Sequence, residues 1–479
     1  MNFRIIAYIV GWVCNFQAIF MVLPCITALV YQEHEFFAFL ISMILCLIVG
    51  IPLTARKPKN KVFYTKDGCV AVALSWLALC IFGSVPFVLS GSIPHPIDAF
   101  FETVSGFTTT GSSILTDVEV LPHCILMWRS FTHWIGGMGV LVFLLSLLPL
   151  AGGYHMNLMK AESPGPSVSK LVPKVQSTAK ILYTIYIILT IVEIIFLLIG
   201  KMPLFDTLCL SFGTAGTGGF GIKNDSMGSY STYCQIVTTI FMILFGVNFS
   251  AYYLILTKKI RQALKFEEVR YYFGIIAAAV LVIGLNTMHL FQNLGVSIQQ
   301  AAFQVGSIIT TTGFSSADFN QWPALSKTIL VLLMFVGACA GSTGGGIKVS
   351  RILILCKAAR KEFQLYLHPN AVKKIKMDQK TITHDILRST NIYLTLYLLI
   401  FAVSILLVSL DNFDMTTNFT AVTATLNNIG PGLEIVGPMG NFSSFSYFSK
   451  CVLIFDMLAG RLEIFPLLLL FFKGTWKKF

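Results

Sequence analysis

The sequence predicts an all-α polytopic membrane protein in which one helical unit occurs four times behind an N-terminal helix pair. Three observations predict this fold class. The chain has 479 residues, of which 55% are apolar and 12% charged, whereas a soluble domain carries about 25% charged residues. Ten apolar runs are each close to the length of about 20 residues that crosses a bilayer. A seventeen-residue segment recurs four times in the connections between these runs.

The low charge content excludes several classes of protein. A soluble enzyme, a disordered chain and a nucleic-acid-binding domain all need more charged surface than this chain carries. The mean hydropathy of +0.77 agrees with membrane insertion. The eleven cysteines include no C-x-x-C pair and most lie in apolar runs, so we predict neither a disulfide framework nor a zinc site.

The ten apolar runs predict the membrane spans. The first begins directly after Arg4 and is too long for the apolar part of a cleaved leader, so we interpret it as an anchor. The predicted spans cover residues 5–31, 36–54, 69–91, 125–150, 181–200, 234–257, 272–291, 328–356, 390–410 and 448–472.

The basic residues predict the orientation of these spans, because cytoplasmic loops of membrane proteins are rich in Lys and Arg. With a cytoplasmic N-terminus, the inner segments hold 27 of the 34 basic residues and the outer segments hold five. Lys348 and Arg461 remain at membrane depth. Both termini are therefore predicted to be cytoplasmic. The inner loops cover residues 55–68, 151–180, 258–271, 357–388 and 473–479.

The acidic residues show the opposite bias. Twelve of the 22 lie in outer segments, so the outer side sums to −7 and the inner side to +20. An acidic outer vestibule would concentrate cations and repel anions. The alternative is that these acids only keep the outer loops soluble.

The repeated segment lies between two predicted spans each time and ends in glycine. The predicted unit is therefore a helix, a short re-entrant helix, an extended loop and a second helix, and its fourfold occurrence outweighs any single motif. The copies are HPIDAFFETVSGFTTTG (95–111), PLFDTLCLSFGTAGTGG (203–219), SIQQAAFQVGSIITTTG (297–313) and DMTTNFTAVTATLNNIG (414–430).

Four such loops can form one ring that binds a cation. Extended backbone is tolerated at membrane depth only where it is buried in protein or lines a cavity, and a ring of carbonyl oxygens can replace the hydration shell of a cation. Glycine permits positive φ and a close approach of backbone to the ion. Side-chain hydrogen bonds from Thr108–Thr110 and Thr310–Thr312 can hold two of the loops. The C-terminal ends of the short helices, which carry partial negative charge, would face the ring.

These motifs give the chain a specific resemblance. It resembles the TrkH/TrkG branch of the Trk/Ktr/HKT superfamily of potassium uptake proteins, and the resemblance covers essentially the whole chain. Besides FTTTG and TTTGF, the motifs that carry it are HWIGGMGV (133–140), GTGGFG (216–221), GSTGGGIK (341–348), LNNIGPGL (426–433) and AGRLEIFP (459–466).

The resemblance implies a potassium-selective filter. All four filter positions are glycine here, without the serine that sodium-preferring plant relatives carry in the first loop. The second loop departs from the family pattern, because Gly216 stands where a side chain is more common. The residues implied to bind potassium are Thr110, Gly111, Gly218, Gly219, Thr312, Gly313, Ile429 and Gly430.

The resemblance also implies the assembly and its location. Four helix–pore-helix–helix repeats would surround a pseudo-fourfold pore, and two chains would form a homodimer with one pore each in a bacterial cytoplasmic (inner) membrane. A cytosolic regulatory subunit similar to TrkA, which binds NAD and ATP, would dock on the basic inner face. Potassium is the expected transported ion, and we expect no organic cofactor in this chain and no nucleic-acid partner.

The predicted division of the chain follows the repeats. It comprises an N-terminal two-helix domain with a basic loop (1–68) and four repeats (69–165, 166–265, 266–375 and 376–479).

The eighth predicted span contains GACAGSTGGGIK, residues 337–348. The consecutive glycines Gly344, Gly345 and Gly346 each cost about 1 kcal/mol in a helix interior, so we predict that this helix is broken inside the membrane. The resemblance implies that the loop obstructs the pore and moves to open it. It also implies that Arg461 faces this loop.

Charged residues at membrane depth usually mark a pathway or a buried pair. For Lys348 and Arg461 the alternative is a side chain that snorkels to the inner leaflet. Glu193, in the middle of the fifth span, is either a proton or ion site or a structural hydrogen-bond partner.

The leading interpretation is a channel-like potassium uptake protein. The alternative is a proton-coupled potassium symporter of the same architecture, which would need a titratable relay among Glu193, Asp456 and Glu463. An intramembrane enzyme would need facing acids or a His/Asp cluster, and the sequence contains neither pattern.

Overall fold

The structure, a computed structural model, describes residues 1–58, 63–139, 175–370, 373–378 and 380–477. In these residues the chain is helical except for one antiparallel hairpin of two-residue strands, Lys376–Met377 and Lys380–Thr381. The predicted all-α class is confirmed, with this hairpin as a small addition in the predicted inner loop 357–388.

The N-terminal helix pair packs through small residues. Helices Phe3–Phe20 and Val22–Tyr31 together form an apolar segment of 29 residues, and helix Phe36–Ala55 returns beside it. A Cβ built on Gly11 would lie 2.6 Å from Cβ of Leu53. The glycine therefore lets the two backbones approach closely, as is common between membrane helices.

Four units follow, and each contains a first helix, a short helix and a last helix. Among the described residues, the last helices of units 2, 3 and 4 each consist of two pieces. The helices are Thr65–Leu89, Pro96–Phe107 and His123–Gly137 in unit 1; Val175–Ile199, Leu204–Gly216 and Thr232–Phe245 with Phe249–Leu256 in unit 2; Glu267–Asn286, Leu294–Ile309 and Ala324–Val336 with Val349–Leu367 in unit 3; and His384–Val408, Met415–Leu426 and Tyr447–Arg461 with Phe465–Phe471 in unit 4.

Some helices begin earlier than predicted because polar caps extend them. The first helix of unit 1 begins at Thr65, where Asp67 accepts a hydrogen bond from the backbone N–H of Tyr64 at 3.0 Å. The third short helix begins at Leu294, because the Asn293 side chain accepts from the backbone of its first turn. The predicted span of unit 1 begins at residue 69, and the third repeated segment begins at residue 297.

By length and composition, six helices of the described chain can cross a membrane, or seven if the two pieces in unit 2, bent by 92°, count as one span. The spans predicted at 234–257 and 448–472 are each divided into two helices, which the sequence analysis did not predict. In unit 2, Asn248 caps a new helix by accepting from the backbone N–H of Ser250 at 2.8 Å. In unit 4, Glu463 has a left-handed φ of 51°. The break predicted within 328–356 is present.

Part of the prediction lies outside the described residues. This holds for the end of the predicted fourth span, for the proposed boundary between residues 165 and 166, and for most of the inner loop 151–180. The other proposed boundaries between repeats stay predictions.

Candidate functional site

The four repeated segments end in the same backbone conformation. The residue two before the glycine has a left-handed φ between 53° and 59°, and the glycine has a φ between 79° and 100°. The residue between them donates its backbone N–H to the carbonyl five residues earlier, at 2.8–2.9 Å, as in a Schellman motif at a helix end. The left-handed residues are Thr109, Thr217, Thr311 and Asn428, and the glycines are Gly111, Gly219, Gly313 and Gly430.

The four glycines close a ring. A Cβ built on Gly111, Gly219 or Gly313 would overlap the carbonyl oxygen of the residue before the glycine of the next repeat, and a Cβ on Gly430 would lie 2.8 Å from that of the first repeat. The fourth loop thus returns to the first. The residues that supply these carbonyls are Gly218, Thr312, Ile429 and Thr110, in that order. All eight residues predicted to bind the ion are therefore neighbours in one ring, which we call the glycine ring.

Threonine hydroxyls hold the first and third loops. The hydroxyl oxygens of Thr108 and Thr110 are 2.8 Å apart, and those of Thr310 and Thr312 are 2.7 Å apart. The side-chain amide of Asn428 donates to the Thr110 hydroxyl at 2.9 Å and so ties the fourth loop to the first.

His133, from the last helix of unit 1, ties the first loop to the second. Its Nδ1 lies 2.7 Å from the carbonyl oxygen of Gly106, and its Nε2 accepts from the backbone N–H of Phe220 at 3.2 Å. This pattern fits a neutral ring with the proton on Nδ1. His133 also fills the space that a Cβ at Gly216 or Gly218 would need, which explains the missing side chain in the second loop.

A buried ion pair lies behind the first two loops. Arg129 donates to Oε1 of Glu102 through Nε at 2.8 Å and Nη2 at 2.7 Å, with the two side chains 2% and 0% exposed. Glu102 also accepts from Ser113 Oγ at 2.9 Å and from the backbone N–H of Ile114 at 3.0 Å. Arg129 Nη1 donates to the carbonyl of Gly221 at 3.2 Å. The charge count places both groups on the outer surface, whereas the structure buries them.

Residues 337–348, which we call the intramembrane loop, lie against the glycine ring on the side that the basic residues predict to be the inner one. The backbone N–H of Gly345 donates to the hydroxyl of Thr311 at 2.7 Å. A Cβ on Gly345 would lie 2.7 Å from the carbonyl oxygen of Asn427, and one on Gly344 would meet the third loop. The glycines are needed because the loop packs directly on backbone.

Arg461 lies at this loop. Its Nη1 donates to the carbonyl oxygen of Thr343 at 3.0 Å, and its Nη2 donates to the carbonyls of Gly137, at 2.8 Å, and Gly136. The guanidinium thus joins the intramembrane loop to the end of the last helix of unit 1. It does not snorkel away from the loop.

Two carboxylates hold the ends of the intramembrane loop, a role that the sequence analysis gave to neither of them. Glu463 binds Lys348 Nζ at 2.8 Å and also pairs with Arg351, so Lys348 is a member of a buried pair. Glu268 accepts from the backbone N–H groups of Ala340 at 2.7 Å and Ser350 at 3.1 Å. Glu463 adopts the left-handed conformation that breaks the last helix of unit 4. The sequence could not predict this break, because glutamate is not a residue that usually ends a helix.

Cavities lie on both sides of the glycine ring. The inner one is bordered by the intramembrane loop, Arg461 and Glu463. The outer one is lined by the four ring glycines and by Arg129 and Lys223, with no acidic residue among its described lining. The prediction of an acidic vestibule therefore does not hold at the ring itself. The outer acids serve other contacts, such as that of Asp98 with Lys450 at 2.7 Å.

The remaining buried acids lie apart. Glu193, in unit 2, is fully buried, with Thr214 of the short helix as a polar neighbour. Asp456, in unit 4, accepts from the Ser404 hydroxyl at 2.7 Å. The contacts of the described residues do not connect Glu193, Asp456 and Glu463 into a relay.

A ring of four backbone loops from four repeated helical units, with a fifth loop packed against it, is typical of a polytopic membrane transport protein. The TrkH family of cation transport proteins matches residues 34–477, and the chain belongs to this family.

Similar proteins cover the chain from end to end. It is 36% identical over 486 residues, all of both chains, to the Trk system potassium uptake protein TrkH of Escherichia coli K12. It is 31% identical over 99% of both chains to the Trk system potassium uptake protein TrkG of the same strain. The crystal structure of the potassium transporter TrkH from Vibrio parahaemolyticus matches with a TM-score of 0.89 and 33% identity, over all of both chains.

Proposed function

We propose that this chain takes up potassium across the cytoplasmic (inner) membrane of a bacterium through a pore whose filter is the glycine ring. The observation that carries the proposal is the closure of the ring, in which each glycine abuts a carbonyl of the next repeat and the fourth repeat returns to the first. The names of the similar proteins, which are potassium uptake proteins, support potassium as the transported ion.

The filter acts by replacing water. Backbone carbonyls around the ring take the place of the hydration shell of a potassium ion, and the C-terminal ends of four short helices add partial negative charge. The proposed ligands are the backbones of Thr110, Gly111, Gly218, Gly219, Thr312, Gly313, Ile429 and Gly430.

The intramembrane loop is the proposed gate, because it packs against the inner side of the ring at the mouth of the inner cavity. Opening would separate Gly345 from Thr311 and Thr343 from Arg461, the contacts that hold the loop at the ring. Gly344, Gly346 and Lys348 complete the proposed gate.

We propose that a cytosolic NAD- and ATP-binding subunit similar to TrkA regulates this gate. The support is a cleft on the predicted inner face that follows the intramembrane loop in the chain and presents six basic side chains to an acidic partner surface. They belong to Lys357, Arg360, Lys361, Lys373, Lys374 and Lys376. A homodimer with one pore per chain and cytoplasmic termini completes the proposed assembly.

Proton-coupled symport is the weaker candidate. A relay needs titratable groups in sequence, and the three buried acids have separate partners, with Glu463 already bound to Lys348 and Arg351. The current should therefore reverse at the potassium equilibrium potential whatever the pH gradient. A reversal potential that moves with the pH gradient would favour the symporter.

Rubidium uptake tests the proposal directly. The chain is expressed in bacteria that lack potassium uptake, with and without a regulatory subunit, and uptake of labelled rubidium is followed against increasing sodium. We expect saturable uptake of rubidium that an excess of potassium suppresses and the same concentration of sodium does not. Uptake no greater than in cells without the chain, under both conditions, would refute it.

A further inference from the structure

We propose that Glu102 and Arg129 are positioning residues of the filter. Their buried ion pair sets the spacing between the first and second loops and so contributes to the discrimination of potassium from sodium. This inference rests on the proposed function of the glycine ring as a filter.

Glu102 fixes the strand that leaves the first loop. Its carboxylate accepts from Ser113 Oγ and from the backbone N–H of Ile114, which follow Gly111 by two and three residues. The neighbouring Ser112 hydroxyl donates to the carbonyl of Gly430 at 3.1 Å. The strand that Glu102 fixes is therefore also the one that joins the first loop to the fourth.

Arg129 fixes the strand that leaves the second loop. Its Nη1 donates to the carbonyl of Gly221, and its guanidinium lies over the Phe220 ring, with 4.0 Å from Cζ to the ring centroid. Phe220 and Gly221 are the first two residues after the ring glycine Gly219. The ion pair, formed between two helices of unit 1, thus links the strands that leave two adjacent loops, because Glu102 binds the first strand and Arg129 binds the second.

The repeats supply an uncharged comparison. In the repeat alignment, Glu102 corresponds to Gln304 in unit 3, whose amide donates to the carbonyl of Ala317 at 3.1 Å. The corresponding residues in units 2 and 4 are Leu210 and Ala421. The carboxylate at this position is therefore a feature of the first junction, and glutamine is a size-matched replacement that the same architecture already accommodates.

The pair is rigid because the guanidinium presents fixed, charge-assisted donors to one carboxylate. Breaking it has two separable effects. An uncompensated charge near the outer cavity changes the attraction of every monovalent cation equally. A change in loop spacing changes potassium and sodium unequally, because the number and placement of the carbonyls set discrimination. The ratio of the two ions therefore isolates positioning from charge.

The experiment measures rubidium uptake at increasing sodium in deficient cells, with Glu102→Gln, Arg129→Lys and Ser113→Ala, and with membrane content determined for each. We expect Glu102→Gln to lower the discrimination against sodium about tenfold, which corresponds to about 1.4 kcal/mol. Arg129→Lys and Ser113→Ala leave the Glu102 carboxylate with a positively charged partner, so they should lower it less.

Asp98→Asn is the matched control. Asp98 lies on the same short helix and pairs with Lys450 at 2.7 Å, at the end of the helix remote from the ring. Loss of this ion pair in Asp98→Asn should reduce the thermal stability of the purified protein and leave the discrimination against sodium unchanged.

Three outcomes overturn the inference. The first is Glu102→Gln protein at normal membrane content with unchanged discrimination. The second is loss of Glu102→Gln protein from the membrane while both Arg129→Lys and Ser113→Ala discriminate normally. The third is an equal loss of discrimination in Asp98→Asn. Failure of the unmodified chain to take up rubidium or to discriminate against sodium contradicts the proposed function instead.

Discussion

At the scale of single residues, the four loops that form the glycine ring contain two kinds of position with positive φ, and these differ in their surroundings. The glycines are enclosed by backbone of the next repeat, which cannot move aside as a flexible side chain can. The left-handed residues two positions earlier carry side chains, and the hydroxyls of Thr109 and Thr311 differ in their contacts. Thr311 accepts from the intramembrane loop, whereas the buried Thr109 hydroxyl has no hydrogen-bond partner among the described residues. Substitution therefore tests the filter at the first kind of position and the gate at the second.

Gly313→Ser should weaken the filter. Gly313 has a φ of 87°, which costs a non-glycine residue about 1–2 kcal/mol, and its Cβ would overlap the Ile429 carbonyl oxygen. We expect discrimination of rubidium against sodium to fall roughly tenfold, or about 1.4 kcal/mol, with folding retained. The measurement is competitive uptake. Gly274→Ser is the control, because a Cβ there meets open space. Unchanged selectivity in Gly313→Ser would show that the four loops do not act as one ring.

Thr311→Val should loosen the gate. The change leaves the backbone N–H of Gly345 without its acceptor, at a cost of about 1–2 kcal/mol to the closed arrangement. Rubidium uptake without a regulatory subunit should then rise roughly 5–30-fold. Thr109→Val is the matched control at the equivalent position of the first loop and should change uptake little. Equal effects of the two substitutions would contradict a specific contact between the third loop and the gate.

At the scale of elements, the breaks in the last helices bring the intramembrane loop and its holders together. The loop fills the break in unit 3. In unit 4 the helix ends at Arg461, and the break allows both Arg461 and Glu463 to contact the loop, at Thr343 and Lys348. Unbroken helices would carry these side chains past it. The breaks are therefore part of the proposed gate, although they weaken the helices as spans.

Arg461→Ala, or deletion of Gly344–Gly346, should raise uptake measured without the regulatory subunit. The substitution removes three hydrogen bonds to backbone carbonyls, and the deletion removes the part of the loop that meets the ring. Loss of one charge-assisted hydrogen bond costs about 1.5–3 kcal/mol, so even partial loss should raise uptake about tenfold. Lys357→Ala, which breaks a pair with Glu267 on the inner side, is the control. If both variants reach the membrane and conduct no faster than the unmodified chain, the gate lies elsewhere.

The elements also show how much the sequence could predict. The repeat, the glycine positions and the break at 337–348 follow from patterns that recur or from residues that a helix excludes. The breaks at Asn248 and Glu463 were not predicted, because they also involve distant segments: the backbone N–H of Phe249 donates to the carbonyl of Gly341 at 3.0 Å, and Glu463 pairs with Lys348. The sequence also did not predict that threonines adopt the left-handed conformation, since the left-handed position at a helix end of this type is usually occupied by glycine. Partners distant in sequence, such as Glu102 with Arg129 and Glu463 with Lys348, required the fold.

At the scale of the whole molecule, the N-terminal pair is joined to the first repeat by a carboxylate. Glu33 accepts from the backbone N–H groups of His123 at 2.6 Å and Cys124 at 2.9 Å, at the start of the last helix of unit 1. Partial burial acts to raise the pKa of Glu33, but these hydrogen bonds outweigh it and lower the pKa below its usual value. The contact therefore stabilises the fold above the usual glutamate pKa of about 4.3, and its contribution is lost as pH falls through the lower pKa of the folded state.

Glu33→Gln should destabilise the protein near neutral pH by about 1 kcal/mol, the usual cost of a lost helix cap. The measurement is the thermal unfolding midpoint of the purified protein across pH. The difference from the unmodified protein should shrink as pH falls below the usual glutamate pKa. Glu35→Gln, which removes a neighbouring carboxylate outside the cap, should show no such convergence. A constant difference across pH would mean that Glu33 acts through shape alone.

The intramembrane loop belongs to one repeat only, and this has a consequence for how such a pore can be encoded. Twelve residues from unit 3 occupy the space against the inner side of the ring, and four copies could not fit there. A pore assembled from four identical chains would place every insertion at the axis four times. Because the repeats are joined in one chain, each can differ from the others. Unit 3 carries the intramembrane loop, unit 4 carries the arginine that binds it, and unit 1 carries the buried ion pair of Glu102 and Arg129. Differences among the four repeats are thus available to a single linked chain and not to an assembly of four identical chains.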